Sequence, residues 1–258
     1  MIEIEGLAKQ YGSLVAVDDL HLRIERGQLF GFIGRNGAGK TTTIRMMMGL
    51  LEPSRGTVRL GGFDVGREPE RAKAITGYLP DHPFLYDKLT GQELLRFVGG
   101  LYRIEQRECE RRTEELLADF ALTERAHELV ETYSHGMKQR LALAAGLIHR
   151  PEILVLDEPM VGLDPQGALD FRRLLQRLGG TGVTIFISTH SLAVAEEICD
   201  RFGVLDRGRL VALGDLAELR ARASRAAARS AHAGGGNGAD ASLEAVFLEL
   251  IGAADGEW

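Results

Sequence analysis

Apolar and polar positions alternate where the chain opens, with Ile2 and Ile4 set against Glu3 and Glu5. Leu20, Leu22 and Ile24 alternate in the same way with His21 and Arg23. A period of two predicts half-buried strands. Glu25-Arg26-Gly27 reads as a turn, and Leu29 to Ile33 is a compact apolar run, the pattern of a buried strand. That run ends in GRNGAGKTTTIRMMMGL, where a helix begins near Gly39. Pro53-Ser54-Arg55-Gly56 turns the chain into a strand over Thr57 to Leu60, and Ile75 to Leu79 is another short strand. From Gly91 to His149 the period becomes helical. Leu94, Leu95, Val98 and Leu101 share one face, and Leu116, Leu117, Phe120 and Leu122 form a later group. ILVLDEP, from Ile153, is a strand. A helix around Phe171 to Leu178 follows, then a strand from Val183 to Ser188, a helix from Ser191 to Cys199 and a strand from Phe202 to Leu205. Asp206-Arg207-Gly208 is a hairpin-type turn into Leu210 to Leu213.

Strands and helices thus alternate on both sides of a helical block. This order predicts an α/β fold with a mostly parallel core sheet, an antiparallel N-terminal β part and an inserted helical subdomain at about residues 85–150. The main domain is expected over 1–219. Composition then shifts: RARASRAAARSAHAGGGNGADAS reads as a frayed helix and a flexible linker over 220–241. In the closing segment, 242–258, Leu243, Val246, Phe247, Leu250 and Ile251 fall on one stripe of an amphipathic helix. That helix either packs back on its own domain or meets a partner. Arg220, Arg222, Arg225 and Arg229 read mainly as a solvated face, with lipid headgroups as the alternative. GGGNG reads as linker, because no buried strand precedes it.

Composition narrows the classes. The 258 residues are 45% hydrophobic, which suits one large globular domain or two small ones. A net charge of -6 argues against sequence-independent nucleic-acid binding, which needs a basic footprint. Cys109 and Cys199 fit neither a disulfide framework nor a zinc spacing. The opening MIEIEGLAKQYG is not read as a signal peptide. The longest nearly unbroken apolar stretch, Leu141 to Ile148, is far short of the roughly 20 residues a membrane-spanning helix needs.

Two motifs carry the chemistry. Gly34-Arg35-Asn36-Gly37-Ala38-Gly39-Lys40-Thr41 matches the GxxxxGK[ST] phosphate loop, with a buried strand before it and a helix after it. Consecutive backbone N–H groups in such a turn form an anion-binding nest, and the following helix points its positive end at the phosphates. Lys40 supplies a charge for the β and γ phosphates, and Thr41 a hydroxyl for Mg²⁺. The second motif is the apolar strand ending in Asp157-Glu158. A carboxylate at a buried strand end is costly unless it serves a cation, so Asp157 suits Mg²⁺. Glu158, where the chain leaves the strand, suits the base that polarises an attacking water.

With these pieces the chain resembles the ATP-binding subunit of an ABC transporter up to about Leu219. Tyr133-Ser134-His135-Gly136-Met137-Lys138-Gln139-Arg140-Leu141 is similar to the family signature, usually LSGGQ. Gly162-Leu163-Asp164-Pro165 matches the loop after the acidic motif, and Ile187-Ser188-Thr189-His190 the switch histidine. The resemblance implies a P-loop ATPase fold, ATP and Mg²⁺ as cofactors, and nucleotide contacts from Tyr11, Gly34, Asn36, Gly37, Ala38, Gly39, Lys40, Thr41 and Thr42. It implies that the Tyr11 ring stacks on adenine, whereas by itself Tyr11 could be a half-buried core ring. Ser134 reads as the N-cap of a helix running to Ile148. The resemblance adds that Ser134 and Gly136 bind the γ-phosphate on a second subunit, that Asp164 reaches across the dimer and that His190 bonds the γ-phosphate. Asp81 stands where the family has a metal-contacting glutamine. His135 and Met137 replace a glycine and a glutamine of the signature.

The SHGM variant, TGYLPDHPFLYDKLTGQELL and the closing SLEAVFLELIG look like the exporter branch of that family. Its ATPases dimerise, as homo- or heterodimers, and work through a separate transmembrane permease subunit. The resemblance therefore implies a cytoplasmic chain, peripheral on the inner face of the membrane, with no nucleic-acid partner. His82-Pro83-Phe84-Leu85-Tyr86 is apolar enough to dock a partner loop, or is a plain connection. The other open function is a soluble ABC ATPase acting as an assembly factor, for example in iron–sulfur cluster biogenesis.

Overall fold

A computed structural model of the chain describes residues 1–161, 163, 165–230 and 242–255. Two strands, β1 (Ile2–Tyr11) and β2 (Leu14–Ile24), open the chain, and β3 (Leu29–Ile33) leads into helix α1 (Lys40–Met47). After β4 (Arg55–Leu60), β5 (Phe63–Asp64) and α2 (Pro69–Ala74) comes β6 (Thr76–Leu79). The helical block holds α3 (Gly91–Leu101), α4 (Gln106–Asp119) and α5 (His135–Leu147). The second half alternates: β7 (Ile153–Asp157), α6 (Pro165–Gly180), β8 (Thr184–Thr189), α7 (Leu192–Ile198), then the hairpin β9 (Arg201–Asp206) and β10 (Arg209–Gly214). Helices α8 (Leu216–Ser230) and α9 (Leu243–Asp255) close it.

Two sheets form. The core sheet has the order β10-β9-β3-β8-β7-β6, parallel except for the antiparallel β9–β10 edge. The other sheet, β2-β1-β4-β5, is antiparallel. The expected α/β core with an antiparallel first part is therefore present. The apolar runs of β3 and β7 follow from burial on both faces. Along β7 the side chains alternate: Ile153 and Val155 pack with α1 and the antiparallel sheet, while Leu154 and Leu156 pack with the helical block.

Several elements differ from the reading of the pattern. The first hairpin is longer than its alternating segments, since β1 continues to Tyr11 and β2 begins at Leu14. Helix α8 runs on to Ser230, so the first part of the stretch read as frayed helix and linker is regular helix. Leu219 and Ala223 are buried there against Leu243, Val246, Phe247, Leu250 and Ile251 of α9. The apolar stripe of α9 thus folds back on its own domain, onto Phe202, Val204 and Ala212. An Arg/Ala-rich composition lowers hydrophobicity without lowering helix propensity, so the helix persists. The GGGNG segment and the last three residues lie outside the described residues.

Candidate functional site

The phosphate loop is built by close approach. Gly39 has φ 107°, a left-handed conformation open to glycine, and a Cβ there would meet the Ala16 carbonyl oxygen at 2.5 Å. A Cβ on Gly34 would lie 2.5 Å from the Leu205 carbonyl oxygen. The backbone N–H of Gly208, in the β9–β10 turn, donates to the Ala38 carbonyl at 2.9 Å and braces the loop from the side. Asn36 and Gly37 form its exposed tip, and Ala38 is buried. Helix α1 begins at Lys40 with no acidic residue in its first turn, so its positive end is not neutralised. Thr41 and Thr42 are half-buried in that turn.

The side chains the sequence singles out converge on one end of the core sheet. Lys40 is 6% exposed; its Nζ donates to the Gly34 carbonyl at 2.8 Å and lies 3.4 Å from Glu158 Oε1. Glu158 follows β7 at φ 49°, a left-handed backbone that turns the chain sharply off the strand. Its N–H donates to the Ser188 carbonyl at 3.1 Å. Its Oε2 lies 2.9 Å from Nδ1 of His190 and accepts from the His190 N–H at 3.3 Å. Glu158 is therefore held between a buried ammonium and a half-exposed imidazole. An acid flanked by two cationic or proton-bearing groups is well placed to handle a proton at an attacking water.

Asp157 is 1% exposed. The Ser188 hydroxyl donates to its Oδ1, while Oδ2 is buried without a partner among the described residues. An unpaired carboxylate oxygen in that setting is costly, and a hard cation would satisfy it. The nearby Tyr78 hydroxyl is pushed up to about 12, first by burial and then by the Asp157 carboxylate; Arg45 opposes this and Asp81 adds to it. Asp81 thus shares this end of the sheet, and its own carboxylate pairs with His82 at 3.6 Å. No group of three or more His, Cys, Asp or Glu side chains converges as a metal cluster among the described residues.

Other expected residues stand apart. Tyr11 is 47% exposed at the end of β1, with Lys9 Nζ 5.3 Å from its ring centroid, so it is no core ring. Ser134 caps α5 and accepts from the Met137 N–H at 3.3 Å. With His135, Gly136 and Arg140 it lines an open recess of about 470 Å³. Lys40 and Glu158 do not line that recess. Asp164 lies outside the described residues.

Two buried polar residues had no assigned role in the sequence reading. Ser188 sits in register with Asp157 across β7 and β8, and bonds both the Asp157 carboxylate and the Glu158 backbone. A serine inside an apolar strand, two residues before His190, was its only signal. Gln139 is 1% exposed, and its Nε2 donates to the Pro159 carbonyl at 2.9 Å.

A strand–loop–helix cradle with a buried lysine, beside a strand ending in Asp-Glu, defines a P-loop nucleoside triphosphatase. Residues 17–161 match the ABC transporter family. The chain is 38% identical over 222 residues to the linearmycin resistance ATP-binding protein LnrL of Bacillus subtilis (strain 168), covering 86% of this chain and 71% of that protein. Further relatives are named as daunorubicin resistance and bacitracin transport ATP-binding proteins. Among solved structures, the ATP binding subunit of an ABC transporter superposes with a TM-score of 0.87 at 33% identity, covering 97% of this chain and 99% of that one. Dimeric MJ0796, a bacterial ABC transporter cassette, superposes with a TM-score of 0.77 at 25% identity, covering 84% and 99%. The chain belongs to the ABC transporter family. It is an ATP-binding, ATP-hydrolysing subunit of the exporter branch, and these relatives lend no support to the assembly-factor alternative.

Proposed function

We propose that ATP is hydrolysed at a composite site, with the cradle, Asp157, Glu158 and His190 from one copy and Ser134 and Gly136 from a second. The loop amides and Lys40 bind the phosphates. Glu158 takes up a proton from the attacking water, and His190 orients Glu158 and the terminal phosphate. The Ser134–Gly136 turn of the mate adds N–H dipoles where negative charge develops, which lowers the barrier electrostatically. Thr41 and the Oδ2 of Asp157, unpaired among the described residues, are the hard oxygen donors that would hold Mg²⁺, with Asp81 acting through water. Mg²⁺ supplies charge neutralisation across the phosphates. Tyr11, half-exposed at the end of β1, offers its ring to adenine.

The observation that carries this reading is Glu158 held between Lys40 and His190. Two separated half-sites on one chain support the dimer, as does the dimeric relative. The chain would sit on the cytoplasmic face of the membrane through a separate permease. No helix among the described residues is long and apolar enough to cross a membrane. The aromatic edge formed by Phe84, Tyr86 and Phe97, with Phe84 88% exposed, is the surface offered to that permease. Glu158→Gln should bind ATP, accumulate as a dimer, and lose turnover by about a hundredfold or more, the scale of a lost general base. Wild-type turnover in that variant would remove Glu158 from the role.

A further inference from the structure

The signature helix bonds the turn that carries Glu158 through Gln139, and Gly136 on the same helix faces that turn. Gly136 and Gln139 lie three residues apart on α5 and so share a face. On that face, a Cβ at Gly136 would come within 3.7 Å of Leu163, and Gln139 donates its amide to Pro159, the residue after Glu158. The turn between is closed on itself: the Val161 N–H donates to Glu158 and the Leu163 N–H to Met160. Pro159 presents only an acceptor, so the amide nitrogen must face it. That leaves the Gln139 oxygen buried without a partner among the described residues. Polar side chains held in apolar surroundings by one bond need an explanation beyond packing, since an apolar residue of the same shape would avoid the orphaned acceptor.

We propose that Gln139 is a positioning residue that couples the two half-sites of one chain. Its amide pins the Pro159 carbonyl, and through it the left-handed Glu158 turn, to the helix whose N-terminus a second copy's nucleotide engages. When Ser134 and Gly136 are engaged, α5 cannot shift without carrying that turn with it. Glu158 is then set for hydrolysis in its own site. The inference rests on the composite-site reading above and adds to it a line of contact within the chain.

The test uses the full chain with Gln139→Met, which keeps the shape and removes the donor. Three quantities are read: ATP affinity, ATP-driven dimer formation in a Glu158→Gln background, and turnover per dimer. ATP affinity and dimer formation are expected to hold, while turnover falls by about tenfold, as small misplacements of catalytic groups do. Unchanged turnover overturns the proposal, and so does a loss of turnover matched by an equal loss of dimer. Gln139→Asn, one carbon too short to reach Pro159, gives the same readout if the methionine variant does not fold. Failure of the Glu158→Gln single variant to form a dimer with ATP would instead break the composite-site reading, a failure visible on its own.

Discussion

In the composite site proposed above, the cradle and the signature turn are the two halves of one chemistry, and they are built in opposite ways. At the cradle, Lys40 is 6% exposed and Asp157 1%, and added Cβ atoms at Gly34 and Gly39 would meet backbone oxygens at 2.5 Å. At the signature, Ser134 and His135 are exposed, and a Cβ at Gly136 would find its nearest neighbour at 3.7 Å. One half is closed by its own chain and leaves little freedom. The other is an open helix end with room above it. Dense packing preorganises charge, whereas an open helix N-terminus keeps its dipoles free for something that arrives. In the proposed reading, one chain carries all the acids and a second copy completes the enclosure of the phosphoryl group.

The comparison can be broken at its strongest point first. Lys40→Ala removes the one buried cation of the cradle that pairs with Glu158, and ATP turnover should fall by at least about a hundredfold. Normal turnover in that variant would mean the closed half is not the phosphate grip. The contrast itself is sharpened by a pair of equal substitutions. Gly39→Ala places a methyl against the Ala16 carbonyl at a left-handed φ and should abolish nucleotide binding. Gly136→Ala meets no such wall, so a single chain should still bind ATP with wild-type affinity and lose only dimer-dependent hydrolysis. Equal losses of binding from both would erase the distinction between the halves.

The smallest effect concerns the seam between the helical block and the sheet. His149, just past α5, stacks on Tyr102 at 3.7 Å, and its Nε2 donates to the Thr76 carbonyl at 3.2 Å. Burial pushes its imidazole down to about 4, against the hydrogen bond to Thr76. The ring is therefore neutral in the folded chain where an unfolded histidine, near 6.5, begins to protonate. Between those values the unfolded chain binds more protons, so stability is lost as pH falls from 6.5 towards 4. His149→Gln should flatten the melting temperature against pH in that window. An unchanged slope would clear His149 of the effect.

Much of the cradle was legible because its signal is local. A buried run, a glycine-rich turn and a helix start lie within a short span of chain, and the steric demands on that turn leave few alternatives. The Ser134 cap was legible for the same reason, since capping is decided by neighbouring residues. Ser188 and Gln139 were not. Each is an unremarkable polar residue until the sheet order sets Ser188 beside Asp157, and until α5 packs against the Glu158 turn. The α8 stretch was read as a frayed helix because composition marks solvent exposure, while burial of Leu219 and Ala223 under α9 depends on a helix far along the chain. Tyr11 could have been core or surface from its neighbours alone, and the hairpin placed it outside.

By itself the sequence determined most of the elements, their order and the chemical groups at their ends, because periodicity, capping and turn sterics act over a few residues; the short β5 and α2 carried no such signal. Only the tertiary structure decided which of those groups meet. Lys40, Glu158 and His190 leave three different strands, and the parallel order of β3, β8 and β7 brings those strand ends to one edge. Pairing across a sheet is chosen by the burial of whole faces, a sum over the molecule that no single segment carries.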